Sequence, residues 1–120
     1  MATYSKQLLS ASTYGQPITI SNTASTGNLI HATQTSSTAI DEVWIYATNT
    51  SASAVNLTIQ YGGTGSVQNS IILPIPATSG LTLVVPGLVL TGTGSASSSV
   101  YAYAATASVI TVSGYVNRVQ

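Results

Sequence analysis

The sequence predicts an all-β fold, an antiparallel β-sandwich of about eight strands, from three observations. Val55, Leu57, Ile59 and Tyr61 alternate with Asn56, Thr58 and Gln60, the period of two required of a strand with one buried face. Clusters of turn-forming residues recur about every ten residues, the spacing of a sandwich or barrel. No eleven-residue window carries a helical period, and no capping box precedes an apolar run.

In chain order, residues 1–16 have no clean period: Tyr4, Leu8, Leu9 and Tyr14 are scattered among Ser, Thr and Gln, and Gly15-Gln16-Pro17 closes the segment with a turn signal. They read as an N-terminal arm, either an edge strand or an extension laid on a neighbouring subunit, and residues 17–120 as the sandwich domain. Strands are expected at Ile18–Ser21 and Asn28–Thr33. The stretch Asp41–Gly63 reads as a central β-hairpin. Its first strand, Glu42–Ala47, is apolar on both faces, as expected of a strand covered on both sides. Asn49–Ser53 supplies the turn and Val55–Tyr61 the return.

Further strands are expected at Gln68–Ile75, whose Pro74 and Pro76 place its end at a sheet edge, and at Leu81–Val85, broken by Pro86-Gly87. Leu88–Leu90 continues the apolar line. Val100–Ala104 and Ser108–Val119 are the last strands, with Gly114 marking a bulge. Jelly-roll and immunoglobulin-like Greek-key orders both fit this pattern.

Composition narrows the function. Charged residues make up 3% of the chain, against about 25% in ordinary soluble domains. Lys6, Asp41, Glu42 and Arg118 are the whole charged set. Nucleic-acid capture needs clustered cations, and attraction to an anionic membrane needs the same, so neither partner is expected. Ser and Thr fill roughly three residues in ten. Hydroxyls hydrate a surface without making molecules repel one another, which suits a component of a large assembly. There is no cysteine, hence no disulfide or thiolate site. The N-terminal residues lack the basic start and apolar run of a signal peptide, and Leu81–Leu90 is far short of the ~20 residues that span a bilayer. Synthesis in a cytoplasm without a membrane anchor is expected.

Few residues offer chemistry. His31 is the sole histidine; with Asp41 or Glu42 and a serine it makes a nominal triad, but no G-x-S-x-G elbow presents a nucleophile, and a packed, hydrogen-bonded histidine is the simpler reading. Asp41 and Glu42, adjacent on a strand, diverge to opposite faces and read as a solvated strand entrance pairing with Lys6 or Arg118. Two carboxylates are too few for a calcium site. No catalytic, metal or cofactor residue is assigned. Tyr101 and Tyr103 share a strand face and form an alternative sugar-stacking platform. The sequons at Asn49 and Asn56 are chance matches in so hydroxyl-rich a chain.

The run DEVWIYATNTSASAVNLTIQYGG, then SIILPIPATSGLTLVVPGLVLTGTGS, then VYAYAATASVITVSGYV resembles small tailed-phage virion proteins, in particular capsid decoration (cement) proteins and related tail-associated β-modules. The resemblance covers roughly residues 28–117 and rests on patterns of small and β-branched residues. It implies a β-sandwich on the outer capsid surface of a virion, a homotrimer or homodimer that clamps neighbouring major capsid protein subunits, with no catalytic residues to transfer. The interface candidates are Tyr4, Leu8, Leu9 and Tyr14 in the arm and Leu81, Leu83, Leu88 and Leu90 in the apolar stretch, with the loops Gly62–Ser66 and Gly92–Ser99 as exposed tips. A tail- or fibre-associated host- or glycan-binding module is the alternative.

Overall fold

The computed structural model describes residues 3–65 and 68–120. Among them are nine strands and no helix: β1 (Tyr4–Leu8), β2 (Ile18–Thr19), β3 (Asn28–Ala32), β4 (Ile40–Asn49), β5 (Val55–Tyr61), β6 (Ser70–Ile75), β7 (Thr82–Thr91), β8 (Ser99–Ala104) and β9 (Ile110–Val119). They build two antiparallel sheets. The five-stranded sheet runs β1-β9-β4-β7, with β2 also on β9; the four-stranded sheet runs β3-β8-β5-β6. The expected sandwich of about eight strands is present, with nine.

Strands β1 and β2 share one partner: Leu8 lies opposite Tyr115 and Ile18 opposite Val112 on β9. Residues 9–17 are therefore an excursion from a single interrupted edge strand. Leu9 turns into the core, and the next residues stitch the sandwich shut along one side. There Ala32 N–H donates to Ser10 Oγ (2.6 Å), and Ala11 N–H to the Ile30 carbonyl (3.2 Å). Tyr4–Leu8 is thus an edge strand, and Leu9 is corrected from interface candidate to core residue, 1% exposed.

On β4, alternate residues Asp41, Val43, Ile45, Ala47 and Asn49 are buried, while Glu42, Trp44, Tyr46 and Thr48 are only half-buried. The expectation of a strand covered on both sides does not hold, because no second layer lies on its Trp44 face. Nor do β4 and β5 form a hairpin. They belong to different sheets, and residues 50–54 carry the chain across the sandwich. Asn49 organises the crossing from a buried position: its Nδ2 donates to the carbonyls of Ser53 (2.9 Å) and Ile75 (3.0 Å), and its Oδ1 accepts from Ser51 N–H and Oγ–H. Among the described strands, β5 and β6 are the one consecutive pair bonded to each other.

Strand β7 is continuous through Pro86-Gly87, where a break was expected. The chain absorbs the proline by bulging: pairing jumps from Val43–Leu88 to Trp44–Pro86, and again from Ile45–Val85 to Tyr46–Leu83. Gly87 sits at φ +80°, and a Cβ there would press on the Trp44 ring, so glycine suits the bulge on two counts. Gly114, expected at a bulge, instead pairs in regular register with Ile45. A side chain at Gly114 would run into the Trp44 carbonyl, a close approach that accounts for the glycine. Both prolines within strands lie on edge strands, Pro74 on β6 and Pro86 on β7, where a missing N–H is tolerated.

The core is aliphatic. Val43, Ile45 and Ala47 of β4 with Val112 and Val116 of β9 belong to one buried cluster with Leu57 and Ile59 of β5 and Val100, Ala102 and Ala104 of β8. Burying each large aliphatic side chain contributes about 1.5–3 kcal/mol relative to leaving it in water.

Candidate interaction face and buried polar cluster

A bulge on β3 sets up the polar cluster. Pairing with β8 shifts between Leu29 and His31, so that Ile30 and His31, neighbours in sequence, are both buried. The Ser10 backbone N–H donates to His31 Nδ1 (3.1 Å), which therefore acts as acceptor; the ring proton sits on Nε2 and is donated to Asp41 Oδ2 (2.7 Å). Arg118, opposite Asp41 on β9, closes a fork on the same carboxylate: Nε to Oδ1 (2.8 Å) and Nη2 to Oδ2 (3.0 Å). His31 and Asp41 are each 1% exposed.

Asp41 is therefore no solvated strand entrance; it joins the N-terminal excursion, both sheets and β9 at one point. Burial works to raise its carboxyl, but the hydrogen bonds from Arg118 and His31 outweigh that and leave it below the usual carboxylate range. The bond to Asp41 in turn holds Arg118 above its ordinary value. Tyr61, the last residue of β5, has a buried hydroxyl without a hydrogen-bond partner among the described residues. Burial, and then the charge of Asp41, push that phenol upward.

Ser10, His31 and Asp41 resemble a nucleophile, base and orienting acid by residue type alone. Ser10 meets the ring through its backbone N–H, while its hydroxyl accepts from Ala32 N–H. The base thus has no hydroxyl to activate, and the buried ring offers no approach to a substrate. The cluster holds the molecule together. Among the described residues no group of three or more potential metal ligands occurs.

The exposed counterpart is the outer face of the five-stranded sheet. Register places its side chains in cross-strand rows. Tyr4, Val119 and Ile40 form the first, Lys6, Asn117 and Glu42 the second, and Leu8, Tyr115 and Trp44 the third. Val89 of β7 extends the second row and Leu83 lies opposite Tyr46. Trp44 and Tyr115 stack with ring centroids 6.1 Å apart and planes 10° from parallel, and Lys6 Nζ lies 4.8 Å from the Tyr115 ring centre, a cation–π contact. Glu42 accepts from Trp44 Nε1–H (2.7 Å) and Asn117 Nδ2–H (3.1 Å), and these bonds hold its carboxyl below the ordinary range. A depression of about 300 Å³ opens between the first two rows, lined by Tyr4, Lys6, Ile40, Glu42, Val89 and Asn117 among others.

Of the interface candidates, Tyr4, Leu8 and Leu83 lie on this face and are exposed; Tyr14 (93% exposed) and Leu81 project from loops; Leu88, on edge strand β7, is exposed as well. Leu90 is partly buried against the core, so it is a packing residue. Tyr101 and Tyr103 are half-buried on the opposite sheet, where Leu29 and Gln60 flank the first and Thr58 the second. The two share the outer face of that sheet, as their spacing predicts. The loop tip Gly62–Ser66 is described to Gly65; Ser66 lies outside the described residues. The Trp44–Tyr115 pairing was not legible in the sequence, because strand order decides which distant residues share a row.

Fold and surface define a helix-free β-sandwich with an apolar, aromatic outer face. The chain matches no family model, no curated protein and no solved structure.

Proposed function

We propose that this protein is a structural module of a tailed-phage virion, one that decorates the capsid and stabilises it by binding across major capsid protein subunits. The observation that carries the reading is its surface. Large apolar side chains such as Tyr4, Tyr14, Ile72 and Leu81 stand exposed on a molecule whose charges number four, two of them neutralised inside. Apolar exposure without charge is what a docking surface needs and what a free monomer avoids.

Strand order supports the same reading. With β1 and β2 counted as one interrupted strand, eight strands divide four and four, and β5–β6 alone stay in one sheet. We read this as a jelly roll, an architecture shared by viral capsid and lectin domains, a likeness of fold and not of site. Binding only the assembled shell stabilises it by mass action. Purified protein is expected to co-sediment with expanded shells of its phage and not with unassembled capsid subunits; sedimentation with neither shells nor tails overturns the reading.

The Trp44–Tyr115 plane, with Asn117 and Glu42 beside it, favours a second reading as a glycan-binding module of a tail or fibre. Glycan binding that disappears in W44A supports it.

A further inference from the structure

Asp41 and Arg118 neutralise each other inside the fold. The two remaining charged side chains, Lys6 and Glu42, both lie on the outer face of the five-stranded sheet and in the same row. Lys6 is opposite Asn117 on one side of β9, and Glu42 is opposite Asn117 on the other. With strands about 4.8 Å apart, their backbones stand ~10 Å from each other, and no ion pair joins them among the described residues. The rows on either side are apolar and share the same centre: Tyr4–Val119–Ile40 and Leu8–Tyr115–Trp44.

A face patterned in this way is complementary to itself under one operation, a half-turn about an axis lying in the interface along β9. That rotation sets Lys6 of each copy over Glu42 of the other, Tyr4 over Ile40 and Leu8 over Trp44, and leaves Val119, Asn117 and Tyr115 facing their own counterparts. The alternative half-turn, about an axis along the charged row, sets Lys6 on Lys6 and Glu42 on Glu42. We propose that the protein forms a two-fold homodimer through these faces, with its axis along β9.

The shape agrees with the charge. Tyr4, 78% exposed, projects in the dimer onto Ile40 of the second copy, at the depression that Ile40, Val89 and Glu42 help to line. Facing sheets pack with strands about 30° apart, which a half-turn gives when its axis lies in the interface about 15° from the direction of β9. The outward positions of the overlapping strands, three on β1 (Tyr4, Lys6 and Leu8) and five each on β9 and β4, give roughly 400 Å² per copy and ~850 Å² in total, the size of a weak, reversible association. Such an isologous contact closes on itself. The molecule's two free charges and its stacked aromatic pair are consumed in it. The inference stands apart from the capsid reading.

Sedimentation equilibrium tests it. K6E and E42K each set like charges opposite one another twice in the dimer, and each is expected to weaken self-association roughly 10- to 30-fold. The K6E/E42K double variant re-pairs opposite signs and is expected to restore it. Unchanged circular dichroism and thermal midpoints show that the variants remain folded. The chain has no cysteine, so N117C should be joined to itself by a bis-maleimide spanning the ~10 Å between facing sheets, whereas N56C on the other sheet should not. A monomeric wild type, a double variant no tighter than the single ones, or equal cross-linking of N117C and N56C overturns the proposal. A monomer that still binds shells refutes the dimer alone, and a dimer that ignores shells and tails refutes the capsid reading alone.

Discussion

Asp41 accepts three hydrogen bonds where water cannot take the place of any of them. Removing one member of such a buried pair leaves its partners uncompensated. D41N is expected to lose about 3 kcal/mol in urea unfolding, the lower end for buried pairs, because Arg118 remains 15% exposed. Since folding lowers the Asp41 pKa, its contribution is fully present above the unfolded value of about 3.9 and is lost as pH falls through the folded one. Wild-type stability should therefore fall more steeply below about pH 4 than that of D41N, and parallel curves would contradict the assignment. Tyr61 is the opposite case, a buried hydroxyl with no partner among the described residues. Y61F removes the desolvation cost and nothing else, so stability should rise by up to about 1 kcal/mol; a loss would mean the hydroxyl is bonded. A packed, hydrogen-bonded His31 was legible in the sequence. The burial of Asp41 was not, because both alternating sets on β4, Val43 with Ile45 and Trp44 with Tyr46, are apolar. Period alone does not say which set faces the core.

The same ambiguity operates on whole elements. The turn run Asn49–Ser53, at the end of β4 and beyond it, suits a tight hairpin as well as a crossing between sheets. What decides is the buried side chain of Asn49, which binds Ser53 on the crossing and Ile75 on β6 of the far sheet. N49A takes the side-chain partner from the Ile75 carbonyl and the Ser51 N–H, while the Ser53 carbonyl keeps Ser51 Oγ–H at 2.8 Å, and is expected to cost about 2–3 kcal/mol. N49D, unable to donate to either carbonyl, should be at least as damaging; a neutral result in urea titration would show that the crossing is held by other contacts. Strand existence was readable from β2 onward, since alternation and turn clusters are local; for β1 an edge strand and an extension are both open, because residues 1–16 carry no clean period. Partnership was not, because pairing joins distant segments: β9 lies between β1 and β4, and β8 between β3 and β5. The break expected at Pro86-Gly87 failed for a related reason. On an edge strand a bulge absorbs a proline that a central strand would reject.

At the scale of the molecule, the N-terminal segment belongs to the fold. Leu9 sits in the core and β1 pairs along β9. Deleting residues 2–14 therefore removes a buried leucine, a loss that by itself costs about 2–5 kcal/mol, against a typical total of about 5–15. The deleted chain is expected to be unfolded or aggregated by circular dichroism and solubility, whereas Y14A, at a projecting side chain, should leave the fold intact. A soluble, folded deletion would return the segment to the status of an appended arm. The proposed habitat rests on scarcity of charge, and the structure adds where part of the exposed apolar surface gathers: Tyr4, Leu8, Ile40, Leu83 and Val89 share the outer face of the five-stranded sheet, while Tyr14, Leu29, Ile72 and Leu81 stand elsewhere. If that scarcity reflects life on a shell, bound copies must make the shell harder to disrupt. The measurement that bears on this most directly is the disruption temperature of empty expanded shells, with and without saturating protein. A rise that saturates at a fixed ratio of this protein to capsid subunits is the predicted result; an unchanged disruption temperature at saturation would contradict it.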